Sequence, residues 1–142
     1  ALLSSLSILF DEKYEELWPG IPVEMDSLEK LAYLTRELFG FIEDTVSLEL
    51  LARLFSSQLI TKGERHLLDH SRVYYRVLRT ILAEGQQRGQ IRDDVTVNEL
   101  SKLYALLERG LMYDWCICNG DYSLKSYAER TMPMLLAAFQ KK

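Results

Sequence analysis

The sequence predicts an all-α fold of about six helices, and three observations support that prediction. The 142 residues include only seven glycines and three prolines, so few positions interrupt a helix. Hydrophobic residues make up 48% of the chain and charged residues 27%, as in a globular protein with its own core. Apolar residues recur at spacings of three and four, the period of an amphipathic helix. We therefore expect a single domain over residues 1–142 and no strand.

The first half of the chain contains three predicted helices. The first covers about Leu2–Leu17 and ends before Pro19, because proline cannot continue the backbone hydrogen-bond ladder. The second begins after Asp26, whose carboxylate is a favourable N-cap in the sequence Asp-Ser-Leu-Glu. The third covers about Ser47–Ile60.

The second half of the chain contains three further predicted helices. A long fourth helix covers about Glu64–Arg88, and Gly89 is well placed to end it. Thr96 opens a capping box, and the fifth helix over Thr96–Cys118 follows from it. After an Asn-Gly-Asp turn, the last helix covers about Ser123–Phe139, with the serine as its N-cap.

Charge and hydropathy argue against direct contact with nucleic acid or membrane. The net charge is −4 and the isoelectric point is about 5.2, and there is no basic cluster to replace the counterions of phosphates. No apolar run approaches the roughly 20 residues that a membrane-spanning helix needs. We expect a cytoplasmic protein. The sequence begins with Ala1 rather than methionine, and we interpret it as a truncated or proteolysed product.

The sequence gives little support for a catalytic function. The sequence has no Gly-rich phosphate loop and no Glu-x-x-His pair of the di-iron type, and its carboxylates are expected on solvated helix faces. We therefore expect neither enzymatic activity nor a cofactor. His66 and His70 are spaced to share a helix face and to hold a metal, but no third ligand is evident, so a solvated helix start is favoured. Cys116 and Cys118 are expected to be buried, reduced thiols.

A resemblance to a known family enters in the second half of the chain. The stretch from Ile81 to Asp94 contains a helix end with Gly85, several polar residues, Gly89 and an exit to an acidic turn. A capped helix follows with Gly110 near its middle and Trp115 five residues later, and a final helix ends in small and apolar residues. Over Leu78–Phe139 this pattern resembles the C-terminal domain of TetR-family transcriptional regulators.

The resemblance implies a function. The domain would bind a mainly apolar small-molecule effector between its middle helices and would form a homodimer through its last two helices. Those helices would build a four-helix bundle with the partner subunit. Residues 1–18 resemble the linker helix that follows the family's helix-turn-helix headpiece. That headpiece is missing from this sequence. The intact protein would bind DNA only through the headpiece and would be a transcriptional repressor.

The fifth helix has two apolar faces, although a surface helix of a monomer needs only one. One face consists of Leu100, Leu103, Leu107, Leu111 and Trp115. The other consists of Leu106, Gly110, Tyr113 and Ile117, and we expect an isologous dimer to cover it. We expect Met132, Leu136 and Phe139 of the last helix to point inward. The alternative is that Gly110 packs within its own chain. The predicted interface residues are Leu106, Gly110, Tyr113, Ile117, Leu124, Tyr127, Thr131, Leu135 and Ala138.

The middle helices are rich in aromatic residues, as expected of an apolar pocket with a few orienting hydroxyls. Each tyrosine has an alternative role as ordinary core. Two other functions stay open: a free-standing helical protein-interaction module, and a metal-dependent helical enzyme using His66, Asp69 and His70. The candidate pocket residues are Phe55, Leu59, His70, Ser71, Tyr74, Tyr75, Leu78, Tyr104, Leu107 and Trp115.

Overall fold

A computed structural model describes residues 2–60, 68–69 and 72–142, with side chains from residue 7 onward. Within these residues the chain is all-α, and the only β pairing is an isolated bridge between Ile91 and Gln140. This confirms the predicted fold class. The helices are α1 (Leu2–Leu17), α2 (Ser27–Thr45), α3 (Leu48–Ile60), α4 (Val73–Gln87), α5 (Val97–Ile117) and α6 (Leu124–Leu136), with 3-10 turns at Trp18–Gly20 and Ala137–Phe139.

Local signals place most of the helix ends. Asp26 Oδ1 accepts a hydrogen bond from Leu28 N at 2.8 Å, and Thr96 Oγ1 accepts one from Glu99 N at 3.1 Å. The N-cap role predicted for Ser123 is also confirmed, because its hydroxyl accepts a hydrogen bond from the N–H of residue 126. Gly89 follows α4 with φ +73°, a left-handed conformation that glycine adopts without strain.

The start of α4 differs from the prediction. The helix begins at Val73, because Asp69 has no regular structure and Arg72 is an extended N-cap; the predicted start near Glu64 lies outside the described residues. A carboxylate of α1 fixes this boundary: Asp11 Oδ1 lies 3.0 Å from Arg72 Nη2 and accepts from the N–H of Tyr74 at 3.3 Å. An acidic acceptor at a helix N-terminus satisfies one of the free N–H groups, and its negative charge interacts favourably with the helix dipole.

The helices pack around one apolar core. Helix α2 packs against α6 and α4, α1 packs against α4, and α5 contacts α3, α4 and α6. Gly85 marks the closest approach, because a Cβ there would lie 2.2 Å from Ile91 Cγ1 and 2.9 Å from Ser27 Cβ. The first glycine of the TetR-like pattern thus permits close packing, whereas Gly89 permits a turn. Within the described part of the chain, no helix has the length and apolar character needed to cross a bilayer.

The buried face of α5 differs in part from the prediction. Leu103 is 37% exposed rather than inward. The predicted inward residues of the last helix, Met132, Leu136 and Phe139, are buried, which confirms that face. The residues of α5 that are buried are Leu100, Ser101, Tyr104, Ala105, Glu108, Met112 and Trp115.

Leu124 corrects the predicted dimer interface. Its side chain is fully buried in its own chain, so it is not available to a partner subunit. Glu43 of α2 causes this placement, because its carboxylate accepts from the N–H of Leu124 and from the hydroxyl of Ser123 at 3.2 Å. The start of α6 is therefore held against α2.

Candidate functional site

A buried carboxylate lies where four helices meet. Glu108 of α5 is 1% exposed, and its Oε2 accepts from the hydroxyl of Thr35 on α2 at 2.7 Å. Tyr74 of α4 donates to Oε1 at 2.5 Å, and Tyr14 of α1 donates to Oε2 at 3.2 Å. Three hydroxyls thus offset part of the cost of removing the carboxylate from water.

Tyr104 completes this group, which we name the Glu108 cluster: Tyr14, Thr35, Tyr74, Tyr104 and Glu108. Its hydroxyl donates to the carbonyl of Leu31 at 2.9 Å, and its oxygen lies 2.5 Å from Thr35 Oγ1. Burial, followed by the charge of Glu108, raises the pKa of each of the three tyrosines well above its usual value. The tyrosines therefore stay protonated at neutral pH and remain hydrogen-bond donors.

The carboxylate gives the protein a predicted pH dependence. Burial raises the pKa of Glu108. The folded chain therefore keeps a proton that the unfolded chain loses at about pH 4.3. The free energy of unfolding contributed by Glu108 therefore falls as pH rises from that value through the higher folded pKa. The Glu108→Gln variant lacks this titration. Urea unfolding at several pH values should show wild type losing stability relative to Glu108→Gln as pH rises, and a constant difference would contradict the assignment.

A small cavity lies beside the Glu108 cluster. Its volume is about 30 Å³, which is enough for one or two water molecules. An organic effector does not fit it in this conformation. The cavity is lined by Phe10, Leu38, Phe55, Arg72, Tyr74, Tyr75, Glu108, Arg109 and Met112.

A larger apolar groove opens at the surface between α3 and α5. Its volume is about 520 Å³, within the range of roughly 300–1,000 Å³ that small-molecule sites occupy. Phe55 and Arg109 line both the groove and the small cavity, so these two side chains separate the open space from the Glu108 cluster. The groove is lined by Phe55, Gln58, Leu59, Leu68, Leu106, Arg109, Gly110 and Tyr113.

Some predicted pocket residues line these two spaces. Phe55 and Leu59 line the groove, whereas Phe55, Tyr74 and Tyr75 line the cavity. Tyr104 is fully buried in the Glu108 cluster. His70 and Ser71, together with His66 of the alternative metal site, lie outside the described residues.

Three other predicted pocket residues lie outside the linings of both spaces. Leu78 is fully buried in the core, and Leu107 is half-buried on the flank of α5. The indole N–H of Trp115 donates to the carbonyl of Tyr122 at 2.8 Å, so this ring fixes the turn between α5 and α6. Core and turn packing use the side chains of Leu78 and Trp115, so neither lines the groove or the cavity.

Sequence reasoning misses Glu108, because it places carboxylates on solvated helix faces. The sequence did contain a signal, since Glu108 lies four residues after Tyr104 and four before Met112, and residues four apart share a helix face. A charge in register with a buried stripe indicates a polar cluster rather than a solvated face.

The predicted dimer face of α5 is exposed. Leu106, Tyr113 and Ile117 are 46%, 53% and 64% exposed, and a Cβ added at Gly110 would meet none of the described residues within 4 Å. Within the described part of the chain, Gly110 has no packing partner of the kind that the alternative requires. We name Leu106, Gly110, Tyr113 and Ile117 the α5 strip.

The other predicted interface residues lie on the last helix and the turn that follows it. Leu135 is 37% exposed, and Ala138 is also exposed. Tyr127 and Thr131 are half-buried, and Thr131 Oγ1 donates to the carbonyl of Tyr127 at 2.8 Å. Apart from Leu124, all of these predicted residues remain at least partly accessible.

The described part of the chain offers few residues for metal binding or thiol chemistry. No group of three His, Cys, Asp or Glu residues there is arranged to hold a metal ion. Cys116 is half-buried and Cys118 is exposed, and neither forms a disulfide. The expectation of two buried thiols was wrong, because Cys118 caps the exposed C-terminus of α5.

Comparisons with protein-family models, curated proteins and solved structures gave no match to this chain. The all-α fold class therefore rests on the observed helices and not on any similar protein. The likeness to TetR-family regulators rests on the pattern over residues 78–139 alone.

Proposed function

We propose that this chain is the effector-binding and dimerisation domain of a TetR-like transcriptional repressor. It forms a homodimer through α5 and α6 and binds a mainly apolar small molecule in the cytoplasm, without catalysis. DNA contact belongs to a helix-turn-helix module that this sequence does not include. The single observation that carries the proposal is the exposure of the α5 strip, to which exposed apolar residues of α6 add.

The α5 strip is an exposed apolar surface that we expect a partner to bury. From Leu106 to Ile117 it extends about 16 Å along the helix at 1.5 Å per residue, and a contiguous apolar surface on a soluble protein usually marks an interaction site. Gly110 lies within it with open space in front, which allows another helix to cross closely. A two-fold axis near this glycine would cover both copies of the strip at once.

Helix α1 connects the Glu108 cluster to the N-terminal end of the chain. Tyr14 contacts the carboxylate of Glu108, and Asp11 pairs with Arg72 at the start of α4. A rearrangement at the small cavity would therefore act on α1 through two polar contacts. In the proposed function, α1 is the linker that relays effector binding to the DNA-binding module.

Gly110→Leu tests the interface. A Cβ at position 110 meets no atom of the described residues within 4 Å, so we expect the monomer to keep its fold while the close crossing is blocked. We expect the dimer dissociation constant to rise at least about tenfold, equivalent to about 1.4 kcal/mol, when measured by sedimentation equilibrium.

Gly20→Leu is the matched control, because Gly20 is also exposed with open space in front and lies outside the α5 strip. It should dissociate like wild type. If Gly110→Leu and Gly20→Leu dimerise equally well, the interface lies elsewhere on the molecule.

The same strip supports a second candidate, a helical protein-interaction module that receives a different chain. An apolar helix face fits an amphipathic helix of another protein as well as its own copy. The two candidates differ in one property. The module stays monomeric at micromolar concentration when purified alone, whereas the proposed repressor domain dimerises.

A further inference from the structure

We infer that the groove between α3 and α5 binds an amphipathic organic anion, whose apolar body lies along the groove and whose head group pairs with Arg109. The inference rests on the proposed function, because this anion is then the effector. It adds a charge and a chemical class to a ligand so far described only as mainly apolar.

The groove walls are apolar and accessible. Leu59 is 73% exposed, Leu68 48%, Leu106 46% and Tyr113 53%, and all four line the same space. At about 520 Å³ the groove accommodates a small molecule with a chain or ring body. Covering these side chains provides the hydrophobic part of the binding free energy.

Among the described residues of that lining, Arg109 is the single charged one. It is half-buried, and its Nη1 donates to the hydroxyl of Tyr75 at 3.3 Å. It takes part in none of the ion pairs among the described residues. A guanidinium has five N–H donors, so Arg109 keeps donors for the two oxygens of a carboxylate or sulfonate, the pairing that its planar fork favours.

The neighbouring charges are already engaged. Arg72 lines the small cavity, but its guanidinium pairs with Asp11 at 3.0 Å. Glu108 precedes Arg109 in the chain, and its two oxygens accept the hydroxyls of Thr35, Tyr74 and Tyr14 inside the cluster. Among the residues that the structure describes at the groove, Arg109 therefore carries the charge left for an incoming ligand.

An anionic ligand fits this groove better than a purely apolar occupant does. Covering Arg109 with apolar groups alone would desolvate its charge without a counter-ion, which is costly. An anion supplies the counter-ion and keeps the apolar contacts. Leu106, Gly110 and Tyr113 belong to both the groove and the α5 strip, so the bound anion lies within the proposed dimer interface itself.

Isothermal titration of the full chain with decanoate tests this assignment, with decylammonium as the matched cation of the same chain length. We expect saturable binding of decanoate, with one molecule per chain, and binding of decylammonium at least about tenfold weaker. Arg109→Gln should weaken decanoate binding about ten- to hundredfold, as expected for loss of a hydrogen bond to a charged group.

Two further variants keep the test decisive. Arg109→Lys retains the charge without the fork and should bind decanoate with intermediate affinity. Arg130→Gln removes an exposed arginine that stacks on Tyr127 of α6, outside the groove, and should bind like wild type. Circular dichroism of each variant verifies that its helix content is unchanged.

The inference is overturned if decanoate gives no saturable heat, if decylammonium binds equally well, or if Arg109→Gln binds decanoate like wild type. If the chain still dimerises in that case, the proposed function stands and the effector belongs to another class. If decanoate binds as expected to a chain that stays monomeric, the anion site stands and the proposed function fails.

Discussion

Replacing Glu108 by alanine should destabilise the protein more than any exposed substitution. The change removes the acceptor of the Thr35, Tyr74 and Tyr14 hydroxyls and enlarges the adjacent cavity of about 30 Å³. We expect the free energy of unfolding to fall by about 3–5 kcal/mol, from unsatisfied buried hydroxyls and lost packing together. Urea unfolding followed by circular dichroism measures this change.

Glu129→Ala is the control for this substitution, since Glu129 is exposed on α6. Exposed substitutions of this kind usually change stability by less than about 0.5 kcal/mol. A loss below about 1 kcal/mol for Glu108→Ala would mean that the cluster is solvated and that Glu108 does not organise the four helices.

Replacing Asp11 by alanine should separate α1 from α4. The change leaves Arg72, whose side chain is 5% exposed, without the carboxylate that lies 3.0 Å away. It also removes the acceptor of the Tyr74 N–H at the first turn of α4. Breaking a buried ion pair from one side is strongly destabilising, and we expect a loss of about 3 kcal/mol in the same unfolding measurement.

The neighbouring acid provides the comparison. Glu12 is exposed on α1, and Glu12→Ala should behave like wild type. Equal stabilities for Asp11→Ala and Glu12→Ala would show that the Arg72 contact does not hold α1 in place, and the proposed relay through α1 would lose its main support.

The helices could be predicted because their signals are local. Asp26, Thr96 and Ser123 each accept from an N–H two or three residues later, so the cap and its partner lie in one short stretch of sequence. Gly89 also acts locally, through its own positive φ. Such features need no knowledge of tertiary structure.

Other features depend on distant residues and could not be predicted. The start of α4 is fixed by Asp11, which lies 61 residues before Arg72 in sequence. Leu124 is buried because Glu43, 81 residues earlier, accepts from its backbone N–H. Helical spacing identifies apolar faces, but it does not show which of two faces meets the core.

The candidate site was predicted in part. Phe55, Leu59, Tyr74 and Tyr75 do line the groove or the cavity, because aromatic and apolar residues on the middle helices are natural pocket walls. The polar groups that define the chemistry were not predicted. Arg109 reaches the groove from the flank of α5, and its position follows from how α3 packs beside that helix.

Native mass spectrometry of the purified wild-type chain at micromolar concentration is the most direct test of the proposed repressor domain. We expect a homodimer, part of which carries a small apolar molecule with an acidic group that is lost on gentle activation. A chain that is entirely monomeric and free of ligand would contradict both the proposed interface and the proposed effector site.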